Sequence, residues 1–242
     1  MFEISFKPYG DRAILVEWPQ EINEPILYDL LDFKNKLDSF YGKQSVQINS
    51  AYNSILITYD NVIDNYNEVI VGLKTLYESD AETVDLKGKL WEIPVCYDKS
   101  LGIDLEEMSQ TLGLSENEII AHHSKTIYTV YFIGFLPGFL YLGGLDKKLY
   151  CPRKSTPRLK VDKGAVGIGG KQTGIYPMES PGGWNIIGSS PLRLFDPQLE
   201  VPCSIAAGDK VNFLPVSLDE YHSIQKKVDN NLYELKYQLC HD

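Results

Sequence analysis

Arg153 and Arg158 are each preceded by a proline in the segment CPRKSTPR. A guanidinium presents a planar fork that matches a carboxylate or a phosphate, and the prolines stiffen the loop that carries it. Around them, residues 146–171 hold eight Lys or Arg and two Asp, a local charge of +6 in a chain whose net charge is −10. One reading is an anion-binding loop. The other is a solvated basic loop that balances the acidic remainder. His123 is the candidate general acid–base group, because an imidazole titrates near neutral pH. Its structural reading is a histidine in a last helical turn, where the helix dipole favours it. A third feature is ESPGGW, residues 179–184. Ser180-Pro181-Gly182-Gly183 fits a type II turn with Gly182 at positive φ. Such a turn presents bare backbone beside a large aromatic, Trp184.

Other chemistries find less support. KGAVGIGGKQTG fails as a phosphate loop, since Ala165 and Gln172 stand where Gly and Ser or Thr are needed. It fails as a dinucleotide fingerprint too, and reads instead as a strand that passes close to other backbone or to a ligand. The four cysteines and four histidines have no ligand spacing, so no metal site is expected. No signature supports a covalent nucleophile. The acidic balance argues against nucleic acid as a general partner. Residues 126–145 are uncharged and long enough for a membrane span, yet they contain Pro137 and four glycines. They read as two strands around a turn, and no membrane association is expected. The start MFEISFKPYGDR lacks a signal-peptide core, which with unpaired cysteines suggests the cytoplasm.

The elements that must position these residues fall into two groups. Strand patterns at 2–7 and 12–18, a helical stripe over 21–41, two more strands and a second helix give the order ββαββα. This is a small α+β domain over 1–85. The polar run 79–89 reads as a linker. Residues 86–242 begin with the strand LWEIPVCYD and two short helices. Asp104 with Glu107, and Ser115 with Glu118, have capping-box spacing. Twelve of the nineteen glycines then lie between Gly134 and Gly188, punctuating short apolar runs. A mainly β barrel or sandwich is expected. Ser217 and Glu220 cap a last helix, and Tyr233 to Leu239 alternate as a final strand.

Read in order, YGDRAILVEW, DLEEMSQTLGLSENEIIAHHS, YFIGFLPGFLYLGGLDKKLYCPRKSTPR and KGAVGIGGKQTGIYPMESPGGWNIIGSSPLRLFDP resemble a known bacterial family. It is the B-subunit of 5-oxoprolinase (PxpB), also called KipI or allophanate hydrolase subunit 1. The resemblance runs over nearly the whole chain. It implies an α+β N-terminal domain followed by a cyclophilin-like β-barrel. It implies a KipA-like partner (the C-subunit of 5-oxoprolinase), an A-subunit, and ATP as co-substrate of a complex that opens the lactam of 5-oxoproline to glutamate. Two other roles occur among relatives: inhibition of a sensor histidine kinase, for which an exposed apolar patch around GFLPGFLY would serve, and carboxyl transfer on urea-like or allophanate substrates. As catalytic positions it implies His123, Arg153 and Arg158. For substrate binding it implies Phe135, Pro137, Gly138, Tyr141, Gln172, Tyr176, Pro181, Gly182, Gly183 and Trp184. Leu140, Asp162-Lys163 and Ser189-Ser190 depart from the family pattern. His123, the basic segment and the glycine turn are expected to converge on one cleft.

Overall fold

The structure, a computed structural model, describes residues 2–42, 46–80 and 88–240. The chain divides into two compact units, Met1–Leu86 and Lys87–Asp242. The run 79–89 falls mostly on residues outside the described ones.

In the first unit, β1 (Ser5–Pro8), β2 (Ala13–Glu17), β3 (Val46–Ser50) and β4 (Ser54–Tyr59) form an antiparallel sheet in the order β1-β2-β4-β3. Helix α1 (Glu24–Tyr41) follows β2, and α2 (Tyr66–Glu78) follows β4. The Asn23 side chain accepts the Ile26 N–H at the start of α1, and Gly42 ends the helix. Its apolar stripe, Ile26, Leu27, Leu30, Leu31, Phe33 and Leu37, is buried.

The second unit is built on eight hydrogen-bonded strands. In chain order they are β5 (Lys89–Val95), β6 (Ile127–Ile133), β7 (Leu140–Gly143), β9 (Ala165–Gly169), β10 (Gln172–Ile175), β12 (Asn185–Ser189), β13 (Lys210–Pro215) and β14 (Tyr237–Leu239). A separate two-stranded sheet pairs β8 (Arg158–Val161) with β11 (Ser180–Gly182). Helices α3 (Leu105–Leu112) and α4 (Glu116–Lys125) precede β6, and α5 (Leu218–Asp229) follows β13. The uncharged run 126–145 supplies β6, a turn and β7. Among the described residues no helix is long and apolar enough to cross a membrane.

The large sheet has the order β12-β9-β10-β7-β6-β13-β5-β14. Among the described residues its ladder does not close, so the expected cyclophilin-like barrel is not confirmed. The reason lies at β5. Its two edges are taken by β13 and β14, so β12 returns to it only beyond its end, through a single bridge between Cys96 and Ser189. The result is an open sheet whose inner face carries Ile93, Tyr128, Val130, Leu142, Val166, Ile168, Val211 and Phe213 in one buried cluster.

Candidate functional site

The basic loop between Cys151 and Arg158 is pinned along its length. Cys151 forms a bridge with Gly170. The buried Asn185 amide donates to the carbonyls of Pro152 and Ile168 at 2.9 and 3.1 Å. The Lys154 N–H donates to the Gly183 carbonyl at 2.7 Å. At the far end, Arg158 makes a bidentate pair with Asp104, Nη1–Oδ2 2.9 Å and Nη2–Oδ1 2.5 Å. The same carboxylate accepts the Ile186 N–H at 2.6 Å and meets the Lys154 ammonium at 3.2 Å. Asp104 is 1% exposed. Burial pushes its carboxyl up, but Arg158, the Ile186 N–H and Lys154 outweigh that and hold it below the usual carboxylate range. Asp104 therefore does not cap α3 as its spacing suggests, and its side chain makes no cap hydrogen bond.

Beside this loop lies a cavity of about 290 Å³. Its walls are aromatic: Phe135, Phe139, Tyr141, Tyr176 and Trp184. Phe139 meets Trp184 and Tyr176 edge-on, with centroids 5.5 and 5.4 Å apart. Trp184 is seated by the glycines of β9 and β10. A Cβ on Gly169 would overlap the indole, and one on Gly174 would lie 3.1 Å from it. The glycine-rich run thus clears space for the Trp184 side chain, whereas the close approach read from the sequence was of other backbone or a ligand. Pro157, Pro181, Gly182 and Gly183 complete the apolar lining. Two cations reach the cavity, Arg153 and Lys154. Lys154 is shared with Asp104 and Glu107. Arg153 is exposed, makes no ion pair with the described residues, and lies over the Trp184 ring at 5.8 Å. No carboxylate lines the cavity among the described residues. The arrangement suits a small flat anion, with apolar walls for a ring and one uncommitted guanidinium.

The turn at 180–183 differs from the expected one. Ser180–Gly182 pairs as β11 with β8, with a register shift, and neither Gly182 nor Gly183 has positive φ. A Cβ on Gly182 would instead collide with the Tyr176 hydroxyl.

His123 does not join this cavity. It is fully buried on α4, stacked on Phe213 at 4.6 Å. The Thr173 hydroxyl donates to the Gly167 carbonyl, so it accepts from Nε2 of His123 at 2.8 Å. Nδ1 then accepts the Tyr97 hydroxyl at 2.7 Å. Burial drives the imidazole pKa from 6.5 down to about 3, so the ring is neutral. The expectation that His123 shares a cleft with the arginines is corrected, because its ring nitrogens are both spent inside the core.

Of the residues singled out from the sequence, Phe135, Tyr141, Arg153, Tyr176, Pro181, Gly182, Gly183 and Trp184 come together around the cavity. Arg158 is committed to Asp104. Pro137, Gly138 and Gln172 do not line the cavity; Gly138 occupies the turn before β7 with φ 81°. The apolar patch around GFLPGFLY is not presented as one, since Phe139 and Leu140 are buried and Phe135 stands 62% exposed at the rim. Pro157, read as stiffening the loop, lines the cavity, and Lys154 was read only as one of the basic segment's charges; sequence reasoning missed Phe139 and the role of Asp104. Asp104 carried a signal, but a cap and a buried counterion look alike in one sequence.

The family described as "Carboxyltransferase domain, subdomain C and D" matches residues 4–205. The 5-oxoprolinase B-subunit of Bacillus subtilis (strain 168) is 36% identical over 229 residues, covering 90% of this chain and 95% of that one. The 5-oxoprolinase B-subunit of Escherichia coli O157:H7 is 42% identical over 186 residues, covering 77% and 81%. The crystal structure of the K. lactis urea amidolyase superposes with a TM-score of 0.79 at 21% identity, over 99% of this chain and 16% of that one, and shows the shared fold. By these likenesses, the chain belongs to the 5-oxoprolinase B-subunit family, within the wider group that carries carboxyltransferase subdomains C and D.

Proposed function

We propose that the chain is one component of an ATP-dependent 5-oxoprolinase, working with a KipA-like C-subunit and an A-subunit. The overall reaction adds water across the lactam C–N bond of 5-oxoproline to give glutamate, with ATP hydrolysed to ADP and phosphate. The observation that carries the reading is Arg153: a guanidinium without a carboxylate partner among the described residues, at an aromatic-walled cavity with no lining acid. 5-Oxoproline is a flat five-membered ring bearing one carboxylate. Arg153 would hold the carboxylate, and Phe139, Tyr141 and Trp184 would enclose the ring and exclude water. His123 is out of reach of this cavity, so we assign the proton transfers and the nucleotide site to groups outside it.

The kinase-inhibitor reading loses its motive with the apolar patch. Urea, being neutral, would leave the Arg153 charge unmatched. The test is ATP-dependent glutamate release from 5-oxoproline by the assembled complex, with this chain present, omitted, or replaced by Arg153→Ala. Turnover that persists at the full rate without this chain refutes the proposal.

A further inference from the structure

We infer that the Tyr176 hydroxyl is the hydrogen-bond donor that recognises a carbonyl on the ligand, and that Gly182 is glycine to leave that hydroxyl its place. The inference deepens the proposed function and rests on it for the identity of the ligand. Tyr176 is 2% exposed, yet it lines the cavity. No described residue accepts its proton. Its oxygen is not one of the sealed-off polar atoms, so the O–H opens on the cavity and can take a partner there. The cavity is where that partner can sit. Gly182 supports the assignment, because any Cβ there would strike the hydroxyl. Burial raises the phenol pKa while Arg153 and Arg158 lower it, so the group stays protonated and donates.

Two contacts then divide the recognition. Arg153 reads the carboxylate, and Tyr176 reads the oxygen of the lactam carbonyl. A ligand with a carboxylate and ring but no carbonyl would satisfy the first and leave the second unmet. Selectivity for an oxo-substituted ring acid over its unsubstituted counterpart follows, because a site built to hydrogen-bond one group discriminates against a ligand lacking it.

The experiment is calorimetric titration of the assembled complex, without nucleotide, with 5-oxoproline and with cyclopentanecarboxylate. Tyr176→Phe removes only the hydroxyl. It is expected to weaken 5-oxoproline about 3–10-fold, the worth of one neutral hydrogen bond, and to leave cyclopentanecarboxylate unchanged. Gly182→Ala is expected to do the same by displacing the hydroxyl, and thermal melts of both variants check that they are folded. Equal weakening of both ligands, or none in either, overturns the inference while 5-oxoproline binding by the unmodified complex upholds the proposed function. If the unmodified complex binds cyclopentanecarboxylate as well as 5-oxoproline, the inference falls. If it binds neither, the inference and the proposed function fall together.

Discussion

Asp104 and Arg158 meet fork to fork across 54 residues of sequence, with both guanidinium nitrogens within 2.9 Å of the carboxylate. The pair decides which cation is left for a ligand. Arg158 is spent on holding the basic loop against β12, where the same carboxylate takes the Ile186 N–H. Arg153, five residues earlier, makes no ion pair among the described residues and lies over the face of Trp184.

Replacing either partner should therefore cost stability. Asp104→Asn leaves Arg158 without its counterion and weakens the bond to Ile186. A loss of about 1.5–3 kcal/mol is expected, the worth of a hydrogen bond to a charged group. Arg158→Ala should cost less, because Lys154 still faces the carboxylate. The pH dependence follows from the lowered carboxyl pKa of Asp104. A depressed folded pKa gives stability that is complete above the unfolded value, about 3.9, and is lost as pH falls through the folded one. Urea midpoints measured from pH 5 down to 2 should fall less steeply in Asp104→Asn than in the unmodified chain, the remainder coming from groups such as His123.

Arg153 behaves in the opposite way. It is exposed, and its contact with Trp184 is worth about 0.5–1 kcal/mol. Arg153→Ala should leave the melting curve nearly unchanged. It should weaken an anionic ligand by about 1.5–3 kcal/mol, the value of a charge-assisted hydrogen bond. Arg153→Lys should restore part of that, since an ammonium lacks the planar fork. Titration with 5-oxoproline checks the order. A large fall in melting temperature with no change in binding would place Arg153 in the structure rather than the site.

His123 gives a second pH window. Its folded pKa, about 3, lies below the ordinary 6.5. The unfolded chain therefore binds this proton first, and stability falls as pH drops from about 6.5 towards 3, by up to about 1.4 kcal/mol per pH unit. His123→Leu should flatten that dependence and lower stability, because Tyr97 and Thr173 lose their partner. Turnover per folded molecule should stay close to that of the unmodified complex. A fall of about 10²–10⁴-fold, typical of a lost acid–base group, would return His123 to the reaction.

The sequence made some of this architecture readable and hid the rest for physical reasons. The stripe Ile26 to Leu37 and the capping boxes at Ser115 and Ser217 are local patterns, and they appear in the structure as α1, α4 and α5. Apart from Phe139, the aromatic and glycine residues of the cavity were legible through the family resemblance. What remained hidden is set by long-range contacts. Asp104 reads as a cap until Arg158 arrives from 54 residues away. His123 reads as a helix-end cation until Thr173 and Phe213 enclose it. Gly169 and Gly174 read as ambiguous until Trp184 fills the space they leave. No local pattern reports that the edges of β5 are already occupied, which is why a closed barrel was expected.

Phe135 tests whether strain at the cavity rim is real. Its φ is 63°, in the left-handed region that aromatic residues rarely adopt. It is the centre of a tight turn in which the Leu136 N–H donates to the Gly134 carbonyl at 2.7 Å. Although 62% exposed, it lines the cavity and meets Phe139 edge-on at 5.5 Å. Burial does not account for its conformation. Phe135→Ala and Phe135→Gly lose the same ring contact, so comparing them isolates the backbone. A left-handed conformation costs a non-glycine residue about 1–2 kcal/mol. Glycine is exempt but gives the unfolded chain more freedom, at about 0.5–1 kcal/mol. Phe135→Gly should thus be more stable than Phe135→Ala by about 0.5–1 kcal/mol, the reverse of the order at an ordinary site. Urea denaturation of the two variants measures the difference. Both should weaken 5-oxoproline to the same extent, and Phe135→Leu should recover part of the binding while keeping the strain. If alanine proves the more stable of the two, the turn is relaxed and Phe135 holds its place for reasons other than the ligand.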